Sequence, residues 1–237
     1  MIDADKVKRF WNARSRKLKE VPFESIANLE EDPALLSLKT RLEQDRVFPR
    51  LPLSKDVTLL DLGAGVGQWA FRLAPLVKKV VAVEYSQELA NIGRAEALRQ
   101  KAENVEFVTS AAEEYTADQA FDIVFISGLF VYLTDEQASR VAGHLPSLVK
   151  PGGLVFLRDG TSILDGRHEI NDRFSTILKA SYSAVYRTRG EYIALFQARG
   201  FSLVEDGQMF DEGCPLNKFS ETRLWFYVFL PDAKRHA

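Results

Sequence analysis

The stretch whose reading decides the fold is Leu59–Trp69, "LLDLGAGVGQW". Leu59, Leu60 and Leu62 form a short apolar run broken by Asp61, and Gly63, Gly65 and Gly67 follow at alternate positions. A single tight turn needs one glycine at most positions of left-handed backbone. Three in five residues mark a loop that must turn sharply and also let something approach its backbone closely. A short apolar run without alternation reads as a strand buried on both faces, which is the habit of parallel sheets. The pattern "GQWAFRLAPLV" after the glycines reads as a helix, whose first N–H groups have no partner of their own.

The same reading extends along the chain. "VTLLDL" (57–62), "KVVAVE" (79–84), "VEFVTS" (105–110), "FDIVFIS" (121–127) and "GLVFLRD" (153–159) predict buried parallel strands. Helical patterns lie between them, with Ser86 and Thr134 as expected N-caps and "KPGG" (150–153) as a stop. Strands alternating with helices imply βαβ units and an α/β fold with a doubly wound sheet. Toward the C-terminus, "HEINDRFSTILKASYSAVY" (168–186) and "TRGEYIALFQARG" (188–200) read as helices, and "FSLVEDG" (201–207) and "TRLWFYVFL" (222–230) as two further strands. The first fifty residues read as helices at the sheet edge or over its top. With no repeat, low-complexity segment or linker, residues 1–237 read as one domain.

Composition narrows the function. Of 237 residues, 46% are hydrophobic and 27% charged, as in ordinary globular proteins. A net charge of −2 offers no global attraction to nucleic acid. The lone Cys214 rules out a disulfide framework, and no His and carboxylate pair has metal spacing, so no metal is expected. No run of about 18 apolar residues predicts a membrane span, and the charged start "MIDADKVKRFWNARSRKLKE" is unlike a signal peptide; the expected location is cytoplasmic. Oligomeric state is left open.

Two ligands suit a glycine loop at the carboxyl end of the first strand. A dinucleotide calls for G-x-G-x-x-G or G-x-G-x-x-A; here the third glycine comes one residue early and Gln68 stands where the pattern closes. That spacing, and the absence of a Tyr-x-x-x-Lys pair, weighs against a nicotinamide oxidoreductase. The other ligand is S-adenosylmethionine. "DLGAGVG", "VVAVEYS", "NVEFVTSAAEEY", "FDIVFISGLFVYL" and "LVKPGGLVFLRD" together resemble the successive motifs of the class I S-adenosylmethionine-dependent methyltransferases, over roughly residues 55–160. The resemblance implies a seven-stranded, mostly parallel sheet with an antiparallel last strand, residues 1–50 as a helical lid, 55–160 as the cofactor half and 161–237 as the acceptor side. A non-catalytic S-adenosylmethionine-binding protein would keep the same motifs.

The resemblance carries roles residue by residue. Gly63, Gly65 and Gly67 would cradle the cofactor; Glu84, with Tyr85 beside it, would meet the ribose hydroxyls, 23 residues after Asp61. Asp61 is compatible with a cationic sulfonium. Many relatives place Asp where Ala111 stands; here the next carboxylate is Glu113, so adenine recognition falls to backbone near Ala111 and Ala112. Ser127 would pass beneath the cofactor, and Trp11 and Arg14 on the leading helix would close over it, Arg14 toward the methionine carboxylate. The Asn-Pro-Pro-Tyr type of motif used on nucleic-acid bases is missing after the fourth strand. On the acceptor side, Asp159 and His168 are the candidate bases, and Tyr132, Arg158, Tyr186, Arg187 and Arg189 the candidate acceptor contacts. The expected partner is a small-molecule or glycan acceptor, a sugar hydroxyl ahead of an amine. The arginines of residues 158–189 suit a carboxylate or phosphate on it, although the acids of the same stretch equal them in number.

Overall fold

A computed structural model of the chain describes residues 2–14, 23, 32–175 and 180–233; at Ala4 and Arg14 it describes the backbone alone. In chain order the elements are α1 (Ala4–Arg14), α2 (Pro33–Val47), β1 (Thr58–Leu62), α3 (Gln68–Leu73), β2 (Lys79–Glu84), α4 (Gln87–Gln100), β3 (Val105–Thr109), β4 (Phe121–Ser127), α5 (Asp135–Leu148), β5 (Val149–Ser162), β6 (His168–Ser175), β7 (Ala180–Tyr186), α6 (Arg189–Gln197), β8 (Phe201–Gln208) and β9 (Thr222–Pro231). Seven strands form one sheet in the order β3-β2-β1-β4-β5-β9-β8, and β6 and β7 form a separate hairpin. β1 pairs in parallel with β2 on one side and β4 on the other. β9 runs antiparallel to both of its neighbours.

The unalternating strands are buried because both faces of the sheet are covered. Leu60, Leu62, Val124, Ile126, Val155 and Leu157 point to one core, shared with α5 and α6. Leu59, Ile123, Phe125 and Phe156 point to the other, shared with Val47 of α2 and with α3. Successive residues alternate between the faces, so one strand fills two cores. The helices begin where their caps predict: the Ser86 hydroxyl accepts from Leu89 N–H, and Thr134 forms a capping box with Gln137.

One expectation is corrected. The sequence pattern predicts a helix over 168–186; residues 168–175 and 180–186 instead form antiparallel strands paired from His168↔Tyr186 to Ser175↔Ala180. The apolar spacing of Ile170, Phe174, Tyr182 and Val185 fits either period, and the segment is rich in β-branched and aromatic residues. Tertiary contacts decide between them: Val185 packs with Ile2, Val7, Trp11 and Tyr132, a cluster assembled from segments distant in the chain. A register shift between Ile170 and Arg173 puts Asp172 at φ +50°, a conformation Asp tolerates better than most residues.

The order of strands places the site. The sheet reverses direction of growth at the β1/β4 boundary, and in such sheets a crevice opens beyond the carboxyl ends of those strands. The glycine loop leaves β1 there, and Ser127 and Gly128 leave β4 beside it.

Candidate functional site

A cavity of about 680 Å³ lies over that crevice. Gly63 (φ +80°), Gly65 (φ +59°) and Gly67 (φ +90°) all hold left-handed backbone. Their reasons differ. A Cβ on Gly65 would meet nothing within 4 Å, so this residue opens onto the cavity; a Cβ on Gly63 would stand 3.1 Å from the Leu129 side chain. A Cβ on Gly67 would come within 2.5 Å of the Phe107 ring, and Gly67 does not line the cavity. Gly67 lets α3 start against the core rather than facing a ligand.

Two buried carboxylates close this end. Glu84, at the tip of β2, accepts from Gly65 N–H through Oε2 and from Ser86 N–H through Oε1, both at 2.9 Å. A carboxylate has about four lone-pair sites, so two remain for hydroxyl donors. Burial pushes the Glu84 pKa up, against the pull of those amides. Asp61 is 2% exposed, and burial, with a smaller push from Glu84, raises its pKa to about 7. Its Oδ2 is buried without a hydrogen-bond partner, as is the Tyr85 hydroxyl. Orphaned buried polar atoms of this kind are costly. A cofactor carrying a diol and a cationic amino-acid head answers them, so these residues fit S-adenosylmethionine. Tyr85, Ala111, Ala112, Glu113 and Ser127 line the same space. Trp11 also lines it, its ring edge-on to Tyr132 with centroids 5.1 Å apart. The side chain of Arg14 lies outside the described residues.

The acceptor-side residues divide. Asp159, at the end of β5, is fully buried yet lines the cavity. Its Oδ2 accepts from Phe130 N–H at 2.7 Å and its Oδ1 from Gly160 N–H at 2.8 Å. Burial raises its pKa to about 7 despite those bonds. Tyr132, Tyr182 and Tyr186 line the cavity with it; the hydroxyls of Tyr182 and Tyr186 are hydrogen-bonded, and Tyr186 senses both Tyr132 and Asp159. Gly160 makes room for the Tyr186 ring, which a Cβ would strike at 2.7 Å.

Arg158 lines the cavity too but pairs with Glu43, not with its neighbour Asp159. Arg187 does not reach the cavity. It is 2% exposed and donates to the Phe130 and Leu133 carbonyls at 2.7 and 2.9 Å and to Asp135 at 2.8 Å. Arg189 is bound to Asp206, and Arg167 to Asp135 and Glu191. The arginines of this stretch are thus largely matched by acids, as the equal counts allowed. His168 lies beside Tyr186, the rings tilted with centroids 5.9 Å apart, outside the cavity lining. Among the described residues, no group of three or more His, Cys, Asp or Glu side chains is placed to hold a metal ion, and no helix is long and apolar enough to cross a membrane.

Sequence reasoning missed Lys39 and Glu43 of α2, which line the cavity with Arg158. The available signal was a Lys–Glu pair at i,i+4 on the same helix as Leu42 and Val47. Tyr182, in the same tyrosine- and arginine-rich stretch as Tyr186, lines the cavity as well.

Comparison with known proteins agrees with this geometry. A family model described as a methyltransferase domain matches residues 59–153. Phosphoethanolamine N-methyltransferase 1 of Triticum aestivum is 28% identical over 156 residues, which is 64% of this chain and 30% of that protein; the chain therefore spans under a third of that relative's length. Among solved structures, phosphoethanolamine N-methyltransferase 1 of Haemonchus contortus, in complex with phosphoethanolamine and S-adenosylhomocysteine, superposes with a TM-score of 0.74 at 19% identity, over 98% of this chain and 50% of that one. The DhpI–S-adenosylhomocysteine complex superposes with a TM-score of 0.69 at 20% identity, over 98% of both chains. Residues 59–153 thus match a methyltransferase domain, and the strand order and the acid-lined crevice are those of the class I S-adenosylmethionine-dependent methyltransferase fold.

Proposed function

We propose that the protein transfers the methyl group of S-adenosylmethionine to the nitrogen of a small amine. The observation that carries this reading is the wall formed by Trp11, Tyr132, Tyr182 and Tyr186, with the buried Asp159 carboxylate among them. Aromatic faces attract an ammonium group, and the attraction grows when water is excluded. The cofactor supplies a methyl on a sulfonium: the amine lone pair forms the new carbon–nitrogen bond as the carbon–sulfur bond breaks and its electron pair returns to sulfur. The chain's own task is to hold that amine in line and strip its proton. Asp159, with a pKa raised to about 7, is tuned to accept a proton near neutral pH. Its two backbone donors fix its orientation, and positioning of this kind supplies much of the rate. The N-methyltransferase relatives act on an amine by name, which supports the same choice.

A hydroxyl acceptor, such as that of a sugar, is the second reading. Asp159 would serve it as base, whereas His168 lies outside the lining. The deciding assay is S-adenosylhomocysteine release with matched amine and hydroxyl acceptors. Turnover with amines and none with the matched alcohols is expected; the reverse removes the amine reading. Asp159→Asn should lower kcat about 10²–10⁴-fold, the range for a lost general base.

A further inference from the structure

β5 outruns the strand beside it. β4 ends at Ser127, opposite Arg158, whereas β5 continues to Ser162. The overhang pairs with β9, from Asp159↔Trp225 to Ser162↔Thr222, so a two-stranded ribbon stands beyond the carboxyl ends of the parallel strands. The ribbon and the chain leading into β9 form a flank of the cavity that the cofactor end and the tyrosine wall leave unused. Phe210, Leu216, Phe219 and Leu224 line it, and Lys218 and Thr222 add polar groups. Leu224 lies opposite Gly160, one residue from Asp159, so the flank begins on the acceptor side. Two further lining side chains are turned on their own loop. Arg223 donates through Nη1 to the Phe219 and Thr222 carbonyls, at 2.6 and 3.0 Å, and through Nη2 to Glu212 at 3.0 Å. Asn217 donates to the Asp211 carbonyl at 2.9 Å. These bonds brace the segment that carries Leu216 and Phe219.

The tip of the ribbon is apolar. Ile163 N–H donates to the Glu221 carbonyl at 3.0 Å, which sets Ile163 beside the segment of Phe219. Ile163, Leu164 and Phe219 are 43%, 48% and 49% exposed, three of the eight exposed large hydrophobic side chains among the described residues. Scattered singly, such side chains are ordinary; gathered at the mouth of a cavity, they mark a ligand groove or a partner surface. Phe219 decides between the two, because it belongs both to the exposed tip and to the cavity lining. What covers it therefore reaches inward, toward Leu224 and the acceptor side. We propose that this flank receives an apolar tail of the acceptor: the methylated group sits at Asp159, and a hydrocarbon chain attached to it follows Leu224, Leu216 and Phe219 out to Ile163 and Leu164. This deepens the acceptor reading above and rests on it.

Primary n-alkylamines from ethylamine to octylamine, titrated calorimetrically into the protein saturated with S-adenosylhomocysteine, test the tail, with the matched n-alkanols in parallel. Affinity is expected to rise about three- to four-fold for each methylene buried. Phe219→Ser and Leu164→Ser, both at exposed positions, should weaken octylamine at least five-fold and leave ethylamine unchanged. A purely structural role would not move that ratio. A flat series, no binding of any amine or alkanol, or variants that weaken every chain length alike overturns the proposal. A rim that docks on a lipid surface gives a flat series while Phe219→Ser loses co-sedimentation with phosphatidylcholine vesicles, and that result overturns it too. Failure of the amine reading looks different: the alkanols would gain affinity with length and the amines would not bind. Failure of the methyltransferase reading is different again, since S-adenosylhomocysteine itself would not bind the unaltered protein.

Discussion

Gly93 and Gly67 meet at one ring. A Cβ on Gly93, inside α4, would stand 2.2 Å from Phe107, closer than any real contact. In an exposed helix, Gly→Ala gains about 1 kcal/mol; here overpacking, typically about 1–3 kcal/mol, opposes it. Gly93→Ala is expected to lower the urea midpoint, and Phe107→Leu in the same chain to recover part of the loss. A raised midpoint for the single variant would show that the ring moves freely. Glu84 gives the functional prediction at this scale. Glu84→Gln keeps the size but loses the charge that would accept from a diol. S-adenosylhomocysteine affinity should fall by about 1.5–3 kcal/mol, the worth of a bond to a charged group. The melting temperature should hold or fall slightly: the buried charge is removed, but the amide nitrogen cannot accept, so one of the Gly65 and Ser86 N–H groups loses its partner. Unchanged affinity in calorimetry would take Glu84 out of the site.

Single side chains also tie the elements to one another. Arg187, at the end of the hairpin, holds the turn at Phe130–Tyr132 and the start of α5 through two carbonyls and Asp135. Arg187→Met leaves the Leu133 carbonyl without a donor, while the Phe130 carbonyl keeps Leu133 N–H; one orphaned buried acceptor costs about 1–3 kcal/mol, so a loss on the order of 1–3 kcal/mol is expected. Arg189→Met should cost at most about 1 kcal/mol, because its pair with Asp206 is half exposed on the arginine side. Chemical denaturation ranks the two; an equal loss would remove the special place given to Arg187. Thr188, just before α6, closes a capping box with Glu191, and Thr188→Ala should cost about 1 kcal/mol. Both threonine caps follow local rules. The hairpin that carries Arg187 does not: its apolar spacing suits either period, and packing against α1 selects the strand.

Across the whole molecule, Asp61, Glu84 and Asp159 are buried around one cavity, and burial raises all three pKa values, Asp61 and Asp159 to about 7. Between about pH 4 and 7 the folded protein therefore holds more protons than the unfolded chain, and stability falls as pH rises through that window. Asp122 acts elsewhere: burial opposes it, but Lys150 and Thr58 hold it near 2, so its contribution is lost only as pH falls below about 4. The urea midpoint of the ligand-free protein should decrease from about pH 5 to 7, and Asp159→Asn should flatten the decrease. A midpoint that rises over that range would refute the buried-acid account. Binding should stabilise the same frame. At about 100 times its Kd, S-adenosylhomocysteine adds about 2.7 kcal/mol, or roughly 5–10 °C of melting temperature for a chain of this size. NAD at equal concentration should give no shift; a larger shift with NAD would reverse the choice of cofactor.

The strands, the helix caps and the cofactor end were legible in the sequence because they rest on local or repeated patterns. A strand buried on two faces must be apolar throughout, a cap needs a side-chain acceptor at one position, and Gly63, Gly65 and Glu84 follow strand ends whose order the motifs imply. The sequence alone therefore determined the α/β class, the crevice beside β1 and the acids at its rim. What only the tertiary structure decided depends on partners distant in the chain. Arg158 meets Glu43 across 115 positions, Asp159 is oriented by Phe130 N–H, and Val185 packs on Val7. Those contacts turned the predicted helix into a hairpin, drew Arg187 away from the cavity and brought Lys39 to it. A charged side chain reads alike along the chain whether it meets water, a structural acid or a ligand. Burial and the nearest opposite charge separate those fates, and both exist only once the chain has folded.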